Sequence, residues 1–386
     1  MPTDARVVVV PETTGDPLRV EAARLPDPGP YQVVVKQYAS GVCHSQLHQI
    51  HRPRTTPVIL GHESTGVVVA KGREVTHLKE GDDVMVTWVP RDGENASRRP
   101  DGVDLQLADG SIAKTTSSFT WADVTVADEQ YVVRTPGNHP KDVTAIIGCA
   151  VMTGAGAVYY TAGVQKGQSV AVFGVGGVGL SAIAAAKVVE ADPVIAVDLD
   201  DEKLAFAMKF GATHGVNASR VDPVEAIREL TRKTDGAGAA IFGADFAFDC
   251  IGVRKTMEQI LPAARNGVLG SRTGGMAVLV GVPTTPVELD ARDLLINEKK
   301  YIGSIGGSCR PDRDFPMFLR WYAEGVLDLD ALVTRRFKID EINELASILH
   351  DRMTAIARSP LIIKSDASMK AILRPNGQAT AADELT

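Results

Sequence analysis

The chain has little that would mark a secreted, membrane-bound or nucleic-acid-binding protein. Its four cysteines, Cys43, Cys149, Cys250 and Cys309, are far apart in 386 residues, a chain too long to need covalent staples. A disulfide framework is not expected, and a reducing cytoplasm fits. No cluster of Lys and Arg interrupts a net charge of −7, so nucleic acid is not an expected partner. The opening Met1-Pro2-Thr3-Asp4-Ala5-Arg6 has no basic stretch leading into an apolar one, and secretion is not indicated. Long hydrophobic runs are nearly absent too. The exception, Val143 to Val164, is uncharged and about as long as a ~20-residue membrane span. It carries Thr144, Thr153, Thr161 and several glycines, so it is expected to be a buried helix in a large domain, with no membrane partner.

With 44% hydrophobic and 23% charged residues, the composition suits a globular enzyme of two domains. Up to about residue 140 the chain reads as β-rich. Arg6 to Val10, Tyr31 to Tyr38, Thr65 to Ala70 and Asp83 to Val89 are β-branched runs cut by Gly, Pro and Asp turns. From Val151 strands alternate with helical patterns, which predicts an α/β unit with a doubly wound parallel sheet. Its six strands are expected at Ser169 to Phe173, Val194 to Val197, His214 to Asn217, Phe246 to Asp249, Ala277 to Val280 and Tyr301 to Ile305. Gly211 is placed to cap the helical Glu202 to Phe210. After Gly306 come helical stretches at Phe315 to Glu324 and Ile342 to Asp351, then a short strand-like run, Leu361 to Ile363. The expected division is residues 1–150, a β-rich domain; 151–306, a nucleotide-binding domain; 307–364, a return to the first domain; and 365–386, a polar tail.

The first strand of the α/β unit runs into Gly174-Val175-Gly176-Gly177-Val178-Gly179, with a helical pattern from Leu180 onward. In this setting Gly174 makes the tight turn, Gly176 admits backbone N–H groups to a pyrophosphate, and Gly179 lets helix and strand pack closely. Asp198 ends the next strand roughly 20 residues on, where an acid bonds a free ribose hydroxyl and repels a 2′-phosphate. NAD(H) is therefore expected rather than NADP(H).

A second group lies in the β-rich part: Gly41-Val42-Cys43-His44-Ser45-Gln46-Leu47-His48, then Gly61-His62-Glu63, with Gly148-Cys149-Ala150 much later. Two thiolates and an imidazole would give zinc three protein ligands and leave one position open, the pattern of a catalytic rather than a structural site. Together with Gly-Cys-Ala-Val-Met-Thr-Gly and Ile356-Ala357-Arg358-Ser359, these words resemble the zinc-dependent alcohol dehydrogenases of the medium-chain dehydrogenase/reductase superfamily, in that family's order and near its spacing.

The resemblance implies a GroES-like catalytic domain joined to a Rossmann domain. It implies Cys43, His62 and Cys149 as ligands of one catalytic zinc, with Glu63 as the adjacent carboxylate. Ser45 matches the hydroxyl that takes the alcohol proton, and His48 the histidine that passes it to solvent by way of the cofactor ribose. His44 and Arg358 match pyrophosphate contacts, Thr153 a residue beside the nicotinamide, and Lys203 one near the adenine ribose. The implied reaction is reversible oxidation of an alcohol to an aldehyde or ketone with NAD(H), in a homo-oligomer, dimer or tetramer. By position, Trp88 and the Thr115 to Trp121 segment would line the substrate pocket.

The chain departs from that pattern twice. Gln46 stands where many members carry an aspartate bonded to the zinc-binding histidine, which leaves the metal environment less negative. Many relatives also follow the equivalent of Val89-Pro90 with four clustered cysteines for a structural zinc. Arg91 to Pro100 contains none, so no structural zinc is expected and the stretch to about Ser118 reads as a long loop. Two other readings stay open: a zinc-poor reductase of an activated C=C or imine, kept alive by Gln46, and a noncatalytic dinucleotide-binding sensor. Cys250 reads as buried packing, and Cys309 has no assigned role.

Overall fold

The computed structural model describes residues 3–92, 97–135, 137–234, 238–348 and 370–374. Two β assemblies form the N-terminal part. Thr3–Val10, Arg19–Leu25, Asp104–Leu107, Ile112–Lys114 and Val58–Ile59 close into a small barrel. Beside it, Val132–Arg134, Asp83–Val86, Ser64–Lys71 and Gln32–Val42 run in sheet order, and Lys370–Arg374 and Val333–Lys338 extend the sheet. Gln32–Val42 is buried along most of its length, as a central strand rich in Val should be.

The second unit is a six-stranded parallel sheet in the order His214–Asn217, Val194–Asp198, Val170–Phe173, Phe246–Asp249, Met276–Leu279, Lys300–Gly303. All six expected strands are present within a residue or two. In chain order this is 3-2-1-4-5-6, and the switch of direction between Val170–Phe173 and Phe246–Asp249 opens a crevice at the strands' carboxyl ends, where such sheets bind ligands. Helix Asp201–Phe210 is capped by the Asp200 side chain, and Gly211 ends it at φ 119°.

Three expectations are corrected. The Val143 to Val164 run is not one helix. It is a 3-10 segment, Val143–Gly148, an α-helix, Ala150–Gly156, and a π-helical turn, Ala157–Ala162, ended by left-handed Gly163. Cys149, at φ −143° and ψ −75°, breaks the first two apart. Among the described residues no helix is long and apolar enough to cross a membrane.

The Arg91 to Ser118 stretch is not a bare loop, because Asp104–Leu107 and Ile112–Lys114 are barrel strands whose alternating burial was too short to read. Nor is all of 365–386 a tail. Lys370–Arg374 pairs antiparallel with Gln32–Val42 and parallel with Val333–Lys338, gaining a ladder on both sides that its charged flanks concealed. The helix predicted over 342–351 is seen at 342–348; its end and Leu361 to Ile363 lie outside the described residues.

Helix Ala150–Gly156 is the bolt between the two units. All seven of its residues are buried, and a single apolar core runs from Met85 and Val133 through Val151 and Ala155 to Val172, Leu180 and Phe318. Arginines secure the segment that follows Trp88. The Arg91 guanidinium donates to both oxygens of Asp312, at 3.0 and 3.0 Å. One Arg98 guanidinium nitrogen donates to both oxygens of Asp128, at 2.8 and 2.7 Å, and the group lies 4.2 Å over the Tyr31 ring.

Candidate active site

Cys43 stands between the end of the central strand at Val42 and the short helix His44–Ile50, at its N-cap position, which puts its thiol at a fixed strand-to-helix corner. His62 follows Gly61, whose φ of +100° suits glycine and whose position admits no Cβ: one would sit 2.4 Å from the Thr120 hydroxyl and 2.5 Å from the Trp121 backbone. Cys149 comes from the break between the two helical pieces. Strand, loop and helix junction thus converge from three distant parts of the sequence.

The ligand atoms of Cys43, His62 and Cys149 all lie within 4.8 Å of one another. His62 Nε2 is 3.3 Å from Cys149 Sγ, which is 3.7 Å from Cys43 Sγ. Zinc with sulfur at ~2.3 Å and nitrogen at ~2.0–2.1 Å makes tetrahedral edges of roughly 3.5–3.8 Å, so both spacing and donor chemistry fit the metal.

Around this group, Glu63 is wholly buried. Its carboxyl group fills the space a Cβ on Gly41 would need, 2.5 Å away, and its main chain is held by the Gly41 N–H donating to the Glu63 carbonyl at 2.9 Å. Gln46, also fully buried, accepts the Cys43 N–H at Oε1, 2.7 Å, and meets His62 Nδ1 through Nε2 at 3.2 Å. Ser45 and His48 lie three residues apart on helix His44–Ile50 and so share a face. Ser45 is half-buried and His48 exposed. His44 begins the same helix, half-buried. Trp88 sets its ring edge-on to His62, centroids 6.2 Å apart.

The glycine turn and Asp198 come together at the carboxyl end of the first parallel strand. Gly174, at φ +85°, follows the first parallel strand, and a Cβ on Gly179 would lie 1.9 Å from the Gly174 carbonyl. Helix Gly177–Val188 starts with no side-chain cap at Gly176, so its first N–H groups are available to a phosphate. The cradle fits a pyrophosphate. Asp198 accepts the Val175 N–H at 3.0 Å and the Leu199 N–H at 2.8 Å, with the Lys203 ammonium 3.9 Å away. Arg358 lies outside the described residues.

The metal group and the glycine turn are tied by a residue that sequence reasoning did not single out. A Cβ on Gly154 would lie 2.0 Å from the Val178 carbonyl, so only glycine lets the helix carrying Cys149 seat against the start of the nucleotide helix. The signal was present in Gly148, Gly154 and Gly156, a glycine density unusual for a buried helix. Thr153, next to it, is buried, and its hydroxyl has no hydrogen-bond partner among the described residues. Such an orphan at a crevice suits a polar ligand group.

Some residues expected to matter lie elsewhere. Phe119 and Trp121 are buried in core clusters rather than lining an open pocket. Cys309 donates to the Met152 carbonyl at 3.3 Å, and burial pushes its thiol well up; burial does the same to Cys250. Neither is poised as a nucleophile.

Comparison with known proteins agrees with this arrangement. Residues 29–137 match the alcohol dehydrogenase GroES-like domain family and 177–324 the zinc-binding dehydrogenase family. The chain is 33% identical over 375 residues to an alcohol dehydrogenase class-3 of Cereibacter sphaeroides, covering 91% of this chain and 97% of that one. The chain belongs to the zinc-binding alcohol dehydrogenase family. Another member, an S-(hydroxymethyl)glutathione dehydrogenase of Paracoccus denitrificans, is 32% identical, over 87% of this chain and 94% of its own. Among solved structures, the benzyl alcohol dehydrogenase of Acinetobacter calcoaceticus superposes with a TM-score of 0.80 at 29% identity, covering 97% and 99% of the two chains. The expected fold, a Rossmann sheet with a GroES-like domain, is the one this family member has.

Proposed function

We propose that the chain reversibly oxidises primary alcohols to aldehydes with NAD(H), using one zinc ion held by Cys43, His62 and Cys149. The observation that carries this reading is the three-donor group, spaced for zinc and fixed through Gly154 to the helix that follows the glycine turn. Bound there, zinc supplies a Lewis acid for a hydroxyl or carbonyl oxygen, and NAD⁺ supplies the hydride acceptor.

The chain's own residues do the rest. Ser45 Oγ takes the proton of the substrate hydroxyl, and His48, one turn further along the helix and exposed, hands it to water. Trp88 walls the substrate side of His62. The Thr153 hydroxyl is available to the nicotinamide end of the cofactor. Asp198 and Lys203 take the adenosine ribose, with the carboxylate turning away a 2′-phosphate, while His44 and Arg358 serve the pyrophosphate. Glu63 offsets positive charge beside the ligands. Holding donor and acceptor in one crevice supplies much of the acceleration.

No cysteine lies between Cys43 and Cys149; Arg91 and Arg98 hold the segment after Val89, and we assign the chain no structural zinc. The homo-oligomer is proposed to form along Lys300–Gly303, an edge strand of the parallel sheet flanked by the exposed Leu295 and Ile305. All four cysteines are thiols, which suits a reducing cytoplasm.

The names of the Paracoccus and Acinetobacter relatives both point to primary hydroxyls, the class proposed here. The test is NADH formation by zinc-replete protein with S-(hydroxymethyl)glutathione, benzyl alcohol, ethanol and a secondary alcohol. Turnover of at least one primary alcohol, with NAD⁺ preferred over NADP⁺, is expected. Silence on every alcohol would overturn the assignment.

A further inference from the structure

Gln46 presents its amide to the metal group in a way that works against the metal. The Cys43 backbone N–H lies 2.7 Å from its Oε1. A backbone N–H only donates, so the atom it meets must be the amide oxygen, and this turns the amide nitrogen onto His62 Nδ1 at 3.2 Å. His62 points its other nitrogen, Nε2, at Cys149 Sγ. Ligation through Nε2 needs that lone pair free, which leaves the neutral ring's one proton on Nδ1. An N–H then faces an NH₂, and two donors at that distance do not pair. Turning the amide over only moves the conflict to the Cys43 N–H, and the fully buried side chain has no solvent to relieve it.

We propose that Gln46 is a positioning residue that holds the zinc affinity down and makes the ion readily exchangeable. The inference rests on the metal site of the proposed function. It follows from hydrogen-bond direction alone: a carboxylate at the same place would accept from the Cys43 N–H with one oxygen and from His62 Nδ1–H with the other, and a ligating histidine bonded in that way is a stronger ligand.

The experiment is a zinc competition against a chromophoric chelator on the full chain, comparing the natural protein with Gln46→Glu and, in parallel, the shorter Gln46→Asp. Melting curves confirm that each variant is folded, and zinc loss to excess EDTA is followed separately. The expected result is a Kd roughly 10–100-fold tighter in at least one folded carboxylate variant, with slower loss to EDTA. A Kd within about threefold of the natural protein in both folded variants would overturn the inference, since that bound lies below the gain expected for a restored partner. If the natural protein and both variants fail to take up zinc, and Cys43→Ser behaves like them, the metal reading itself falls. That result is distinct from equal binding in all.

Discussion

Arg98→Ala should be among the more damaging single changes outside the active site. Asp128 is fully buried, and Arg98, with 21% of its side chain exposed, supplies both charge-assisted bonds to it. Breaking a buried pair costs about 3–5 kcal/mol, mostly from the charge left behind. Asp128 would keep two backbone donors, Asp101 at 2.9 Å and Gln130 at 3.1 Å, which puts the cost at the lower end. Losing the cation above Tyr31 adds about 0.5–1 kcal/mol. The expected total is about 3–4 kcal/mol. At about 2–4 °C per kcal/mol for a domain of roughly 150–250 residues, Tm should fall by roughly 6–16 °C. Arg98→Lys keeps the charge but not the planar guanidinium that lies over Tyr31, and should fall between. Adding Asp128→Asn to Arg98→Ala should recover stability relative to Arg98→Ala, because no stranded charge remains. Thermal denaturation at one pH and salt concentration measures all four proteins. A loss below about 1 kcal/mol, the value of an exposed pair, or strict additivity in the double variant would refute the reasoning.

Two other perturbations probe the cofactor site and the fold. Gly179→Ala places a methyl 1.9 Å from the Gly174 carbonyl, a backbone atom that cannot give way without opening the turn. At about 1–3 kcal/mol of overpacking, the NADH Kd from a fluorescence titration should rise roughly tenfold or more, and an unchanged Kd would contradict the cradle. His77 sits between the Val132 carbonyl at 3.0 Å and Glu129 at 3.2 Å, beside Arg91, and burial lowers its pKa most. The unfolded chain therefore binds this proton more readily, so stability is complete above the unfolded value of about 6.5 and declines as pH falls below it. Tm measured from about pH 7.5 to 5 should fall less steeply in His77→Gln, whereas parallel curves would reject the assignment.

The sequence was most legible where one backbone demand selects one residue type. Gly174 and Gly179 stood out because the turn at φ +85° and the close seating of the helix against the Gly174 carbonyl admit only glycine. The four inner parallel strands were readable as apolar runs buried on both faces, whereas the edge strands His214–Asn217 and Lys300–Gly303, with much of their surface exposed, were read from the strand–helix alternation. Asp104–Leu107 and Ile112–Lys114 were hidden by their brevity: with only every second residue buried, three or four residues give no period. Lys370–Arg374 was hidden because its partners lie far away in sequence. In the site, residue identity pointed to Cys43, His62 and Cys149, but only the fold supplies their spacing. The roles of Gly154 and of the Gln46 amide depend on which atoms they face, and no spacing in the sequence carries that.

The most direct test of the account is zinc content measured together with alcohol-dependent NADH formation, in the natural protein and in Cys149→Ser. The account predicts about one zinc per natural chain after reconstitution, with activity proportional to it, and loss of both in Cys149→Ser while NADH still binds. Full alcohol oxidation by zinc-free protein, or by Cys149→Ser, would contradict it.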